Sequence, residues 1–90
     1  MDSNRAAFAD LMRLSSEYVR ARCAGNERDR LLADIAVFAE AIDCPDERIA
    51  SHAMDKFLYF ARKREPQKLA RFIEVARAWR RSLGLSSLLD

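Results

Sequence analysis

Glycine and proline are so scarce in this chain that their positions constrain its fold more than any other feature. The 90 residues include two of each, at Gly25, Gly84, Pro45 and Pro66. Because both residue types interrupt regular helices, their spacing leaves long uninterrupted segments between them. No segment shows an alternating apolar pattern from which a strand could begin. The spacing therefore predicts an all-helical chain.

The first two predicted helices lie on either side of Gly25. The first extends from about residue 4 to residue 24, with Ser3 as its N-cap and Gly25 as a left-handed C-cap. The second begins at Asn26, whose side chain can cap the exposed amides. Residues at helical spacing give each helix one inward stripe: Phe8, Leu11, Met12, Ser15, Tyr18, Val19 and Arg22 in the first, and Leu31, Leu32, Ile35, Phe38, Ala39 and Ile42 in the second.

The other two predicted helices lie on either side of Pro66. The third has Asp46 as its N-cap and extends to about Arg64, and the fourth begins at Pro66 and ends at Gly84. Their inward faces are Ile49, Ala50, Ala53, Met54, Phe57, Phe60 and Ala61 in the third, and Leu69, Phe72, Ile73, Ala76, Trp79 and Leu83 in the fourth.

Short connections between amphipathic helices favour antiparallel neighbours. The expected fold is therefore all-α, a compact bundle of four amphipathic helices formed by two helical hairpins. A chain of this length supports one modest core, so residues 1–90 are expected to form a single helical domain with a short C-terminal tail at residues 85–90.

Residues for catalysis, cofactor binding and metal binding are missing from the sequence. His52 is the single histidine, and Cys23 and Cys44 are far apart with no CxxC or HxxxH pattern. Gly25 and Gly84 stand alone, so no glycine-rich phosphate loop is present. We expect no catalytic residues, no cofactor and no metal, and hence a protein that is not an enzyme.

His52, Asp55 and Tyr59 fall together on the polar side of the third predicted helix. Such a cluster is usually a solvated helix face, and this is the interpretation that we favour. The functional alternatives are a small polar recognition patch or, as a third class of function, an enzyme that uses His52 with Asp55 or Tyr59.

Basic residues concentrate between Arg62 and Arg81, where eight Lys or Arg residues accompany only Glu65 and Glu74. Cations near a helix C-terminus are stabilised by the helix dipole, which explains part of the pattern. The functional alternative is a surface that binds phosphates or an acidic protein. A helix-turn-helix form of it would expose Gln67 near the start of the fourth helix. The candidate macromolecule-binding residues are Arg62, Lys63, Arg64, Lys68, Arg71, Arg77 and Arg81.

The C-terminal tail contains an LxxLL pattern formed by Leu85, Leu88 and Leu89. Short helices with this pattern dock into hydrophobic grooves, so the tail is a candidate docking segment. The favoured alternative is that these leucines fold back and cover the bundle, because exposed apolar clusters are costly.

Residues 1–12 mix charged and small residues and contain no apolar segment typical of a secretory signal. No segment approaches the ~20 apolar residues of a membrane-spanning helix. These patterns predict a cytoplasmic protein that does not bind membranes. Cys23 and Cys44 are expected about 25 Å apart at ~1.5 Å rise per residue, too far for a disulfide.

By elimination, the sequence predicts a small non-enzymatic regulatory or adaptor protein that acts by protein–protein binding, as an inhibitor, an adaptor or a chaperone-like protein. The alternative is a nucleic-acid-binding protein that uses the basic patch of the third and fourth helices. A homodimer is a further arrangement that the amphipathic helices allow.

Overall fold

Four α-helices make up the computed structural model, which describes residues 3–90. In chain order they are α1 (Ser3–Arg22), α2 (Gly25–Ile42), α3 (Glu47–Ala61) and α4 (Ala70–Ser82). Helix α1 packs against α2 and α4, and α3 packs against the same two helices, so each helix has two neighbours. Residues 3–90 contain no strand. The predicted all-α bundle is confirmed.

The centre of the bundle is formed by apolar side chains from every helix. Phe8 of α1 and Leu58 of α3 are fully buried, and Trp79 of α4 is nearly so. The ring of Phe57 meets the ring of Phe8 edge to face at 6.4 Å and the ring of Phe38 at 5.3 Å. These contacts join α1, α2 and α3 through one aromatic group.

Helix α2 is the least covered of the four. Only Ile35 and Ile42 are buried among its eighteen residues. Leu31, Leu32 and Phe38, which the sequence placed on the inward stripe, are only half-buried. The apolar face of α2 is therefore wider than the surface that its neighbours cover.

The helix boundaries near the N-terminal hairpin differ slightly from the predicted ones. Helix α1 includes Ser3, which is therefore not its N-cap. Helix α2 begins at Gly25 after the extended residue Ala24, whose carbonyl accepts a hydrogen bond from the amide of Arg28, so Asn26 is not the N-cap of α2. Gly25 has a φ of +61°, a left-handed conformation, but α1 ends at Arg22 instead of Ala24, and Gly25 begins α2 instead of capping the end of α1.

The connection between α3 and α4, residues 62–69, is longer than the sequence suggested. Helix α3 ends at Ala61 rather than Arg64, and α4 begins at Ala70 rather than Pro66. The amide of Arg64 bonds to the carbonyl of Ala61, three residues back, which is turn geometry. Because a residue before proline avoids helical backbone angles, Pro66 prevents α3 from continuing through Glu65. The connection is therefore a surface segment of its own.

The C-terminal tail, residues 85–90, folds back on α3 and α4. Arg80 donates a hydrogen bond from Nε to the carbonyl of Ser86 at 2.8 Å, and Arg77 Nε donates to Asp90 Oδ1 at 3.0 Å. The hydrogen bond from Arg77 lowers the pKa of the Asp90 carboxyl. The tail is thus an ordered part of the bundle.

Leu89 and Leu88 provide a test of how much the folded tail stabilises the protein. Leu89 is 7% exposed and packs on the core, whereas Leu88 is 46% exposed. We expect Leu89→Ala to lower the free energy of unfolding by about 2 kcal/mol, the low end for a buried leucine. Leu88→Ala should change it by less than about 0.5 kcal/mol. Urea unfolding measures both, and equal losses would contradict the observed packing of the tail.

Candidate functional site

A broad apolar groove with a volume of about 840 Å³ occupies one end of the bundle. It is lined by the second half of α1, the middle of α2, the end of α3 and the beginning of α4. Tyr18, Ile35, Phe38, Phe57 and Phe72 contribute apolar side chains from the four helices. A concave apolar surface of this size is the usual form of a binding site.

Several exposed apolar side chains of the described residues lie in this groove. Five large apolar residues of the described chain are exposed, and three of them line the groove. They come from three different helices and are Leu14 (41% exposed), Val37 (65%) and Phe60 (56%). Isolated exposed apolar residues are ordinary, but a contiguous group marks an interaction surface.

Of the three exposed groove residues, the sequence assigned only Phe60 to the core. Phe60 and Ile49 were both expected on the inward face of α3, and both are exposed. This prediction was wrong because α3 has more apolar face than α2 and α4 can cover. The width of that face was the available signal, since a helix needs only one apolar stripe to pack against its neighbours.

The rim of the groove carries charged groups from the α3–α4 connection and from α2. Lys63, Arg64 and Lys68 line it beside Glu65, and Asp34 lies on α2. Lys68 Nζ lies 3.6 Å from Glu65 Oε2. No ion pair of Lys63 or Arg64 occurs within residues 3–90. The connection therefore places two uncompensated cations at the edge of an apolar surface.

Three of the seven basic residues singled out from the sequence lie outside the α3–α4 connection. Arg71 pairs with Asp10 at 3.5 Å, and Arg77 pairs with Glu74 at 3.5 Å. Arg81 is exposed near the far end of α4. The remaining four lie within the α3–α4 connection and are Arg62, Lys63, Arg64 and Lys68.

The helix-turn-helix form of the basic patch does not match the geometry. Gln67 and Lys68 precede α4, which begins at Ala70, so neither lies in the first turn of that helix. The connection spans eight residues instead of the expected tight turn. Arg62 is also engaged locally, because its guanidinium lies 4.8 Å from the centre of the Tyr59 ring.

His52, Asp55 and Tyr59 do not share a polar surface patch. His52 is exposed and Tyr59 is half-buried, but Asp55 is fully buried. The expectation of an exposed Asp55 was wrong because the C-terminal tail covers it. The hydroxyl of Ser87 donates to Asp55 Oδ1 at 2.5 Å, and the amide of Leu88 donates to Asp55 Oδ2 at 2.6 Å.

The tail leucines are divided between interior and surface. Leu89 is buried, Leu85 is half-buried and Leu88 is exposed. A helix that uses the LxxLL pattern for docking presents all three leucines on one face. In this conformation Leu89 is committed to the core and is not available to a partner.

No other described feature competes with the groove as a site. Within residues 3–90, no three His, Cys, Asp or Glu side chains are grouped as a metal site requires. Cys23 and Cys44 are free thiols, each half-buried. In the same part of the chain, no helix has the length and apolar character needed to cross a membrane.

A comparison of the chain with protein-family models, with curated proteins and with solved structures finds no match. The groove is therefore interpreted from its own residues.

Proposed function

We propose that this protein is a small non-enzymatic regulator or adaptor that binds another protein by taking an amphipathic helix of that partner into the apolar groove. The observation that carries the proposal is the convergence of Leu14, Val37 and Phe60 on one concave surface. Exposed apolar groups disfavour solubility unless a partner covers them, so their concentration at one place calls for a binding role.

A helix is the partner element that suits this groove. The groove is lined by side chains from all four helices, and an apolar helix face laid against them would pack as the helices of the bundle pack on one another. Such a partner presents apolar residues at positions i, i+3 or i+4 and i+7. Each buried apolar side chain contributes about 1.5–3 kcal/mol, offset by the cost of association, so a micromolar affinity is expected.

Phe60 and Ile49 form a matched pair for testing the proposal. Both lie on α3 and are exposed to a similar degree, 56% and 52%, but only Phe60 lines the groove. The full chain is used to select binders from a displayed library of amphipathic helical peptides. We expect Phe60→Glu to weaken the selected peptides about tenfold or more, and Ile49→Glu to leave their affinity unchanged.

Two results of this experiment would overturn the proposal. The first is that selection yields no helical peptide. The second is that Phe60→Glu and Ile49→Glu weaken binding equally, which would show that the added charge acts without regard to the groove. Circular dichroism of both variants checks that their helix content is retained.

A second copy of the chain is the alternative occupant of the groove. If sedimentation shows a dimer that Phe60→Glu converts to a monomer while Ile49→Glu does not, the groove serves homodimer formation instead of a partner helix.

Nucleic-acid binding is the alternative function, supported by the four cations of the α3–α4 connection. It predicts that affinity for DNA or RNA falls steeply with salt and is lost when Lys68 and Arg71 are both changed to Glu. Because Phe60 lines the same groove as Lys63 and Arg64, Phe60→Glu is also expected to weaken nucleic-acid binding, so the Lys68 and Arg71 double variant and the salt dependence identify this function. These three variants, assayed with both the peptides and nucleic acid, thus separate the two functions.

A further inference from the structure

The charges on the groove rim restrict the chemistry of the partner helix. We infer that this helix carries acidic residues at the end that lies over Lys63 and Arg64 and a basic residue where it passes Asp34 of α2. The inference rests on the proposed function and specifies the charges of the partner helix that binds in the groove.

The two cations have no carboxylate partner within residues 3–90, although the Lys63 ammonium lies 5.9 Å from the centre of the Tyr59 ring. Lys63 and Arg64 are exposed groove residues, and neither has an ion pair within the described residues 3–90. The nearby pair between Lys68 and Glu65 leaves them uncompensated, because Glu65 is engaged by Lys68 at 3.6 Å. Arg64 presents a planar fork that matches a carboxylate with two hydrogen bonds, and Lys63 adds a second charge.

The apolar surroundings strengthen this preference. A carboxylate seated at the groove edge would lie next to exposed apolar side chains such as Phe60, where bound partner residues displace water. Charge pairs interact more strongly when water is excluded around them. An uncharged or basic residue at this place would instead leave two cations facing a partner that cannot pair with them.

Asp34 gives the groove rim a negative charge in addition to the positive charges of Lys63 and Arg64. It is an exposed groove residue on α2, and no ion pair joins it to the cations of the connection in the described chain. A uniformly acidic helix would meet repulsion at Asp34, and a uniformly basic one would meet repulsion at Lys63 and Arg64. The rim therefore favours a helix that carries both signs of charge, with acidic residues facing Lys63 and Arg64 and a basic residue facing Asp34.

The test uses three synthetic peptides of about 18 residues, longer than the ~12–15 residues below which an isolated helix is marginal in water. All three carry the same leucine face and one lysine, and they differ only at one end, which bears two Glu, two Gln or two Lys residues. Fluorescence anisotropy measures their affinities for the full chain and for two double variants. One variant is Lys63→Glu with Arg64→Glu, and the control is Lys56→Glu with Arg81→Glu, which makes the same charge change at exposed residues outside the groove lining.

For the unchanged protein we expect the Glu peptide to bind about tenfold more tightly than the Gln peptide, and the Lys peptide to bind most weakly. Lys63→Glu with Arg64→Glu should reverse this order, while the control variant should keep it. Asp34→Lys should weaken the Glu peptide, whose lysine then meets a cation.

Failure of the inference is distinct from failure of the proposed function. If all three peptides bind equally and Phe60→Glu still abolishes binding, the groove binds helices and the charge preference is wrong. If the order survives Lys63→Glu with Arg64→Glu, the acidic end does not lie over these residues and the inference falls. If no peptide binds, both the proposed function and the inference are wrong.

Discussion

Phe8→Ala is expected to lower the free energy of unfolding by about 3–5 kcal/mol, the range for removal of a buried phenylalanine ring. Phe8 is fully buried, and its ring contacts Phe57 edge to face at 6.4 Å. Its removal leaves a cavity at the centre of the bundle. The core of a domain of this size is small, so the loss is a large fraction of it. Domains are stabilised by only about 5–15 kcal/mol in total, so this single change should remove a large part of the stability.

Urea unfolding followed by the fluorescence of Trp79, the only tryptophan and a nearly buried one, measures this loss. Leu14→Ala is the matched control, because Leu14 lies on the same helix but is exposed at the groove. We expect a change of less than about 1 kcal/mol for Leu14→Ala. Similar losses for the two variants would mean that Phe8 is not the centre of the core.

Asp55→Ala is expected to lower the free energy of unfolding by about 2–3 kcal/mol, the scale of hydrogen bonds to a charged group. The fully buried carboxylate accepts hydrogen bonds from the Ser87 hydroxyl and the Leu88 amide, both in the tail. The amide of Leu89 in turn donates to Ser87 Oγ at 3.0 Å. Loss of the carboxylate should therefore release the tail and expose Leu89.

Hydrogen exchange of individual amides gives this prediction a readout that general destabilisation does not mimic. Relative to the unchanged protein, Asp55→Ala should speed the exchange of the Leu88 and Leu89 amides by a larger factor than the exchange of the amides at the centre of α1. Asp34→Ala removes the same chemical group from an exposed helix position and should leave tail exchange unchanged. If the tail amides stay protected in Asp55→Ala, the tail is held by its apolar contact alone.

The core and the exposed part of the groove are formed by different apolar residues. Phe8 and Leu58 are buried and stabilise the fold, whereas Val37 and Phe60 are exposed and contribute little to it. Variants of the groove should therefore change binding without unfolding the protein. This separation is what makes Phe60→Glu a test of function.

Local sequence signals were sufficient for the fold class. Asp46 was expected to cap α3, and its carboxylate accepts a hydrogen bond from the amide of Arg48 at 2.9 Å. Gly84 was expected to end α4, and it follows that helix with a positive φ, whereas Gly25 has a positive φ but begins α2. Capping and glycine conformation depend on a few neighbouring residues, so they can be inferred from the sequence alone. The apolar period likewise identified four helices and the inward positions of Phe8 and Leu11.

Helical periodicity identifies which face of a helix is apolar but not how much of that face its neighbours cover. The sequence therefore determined that α3 has a wide apolar face, and only the packing of four helices decided that Met54 is buried while Phe60 is left in an open groove. The burial of Asp55 depends on hydrogen bonds to residues 32 and 33 positions further along the chain. Contacts at such separations arise from tertiary structure, because no local pattern encodes where the tail returns.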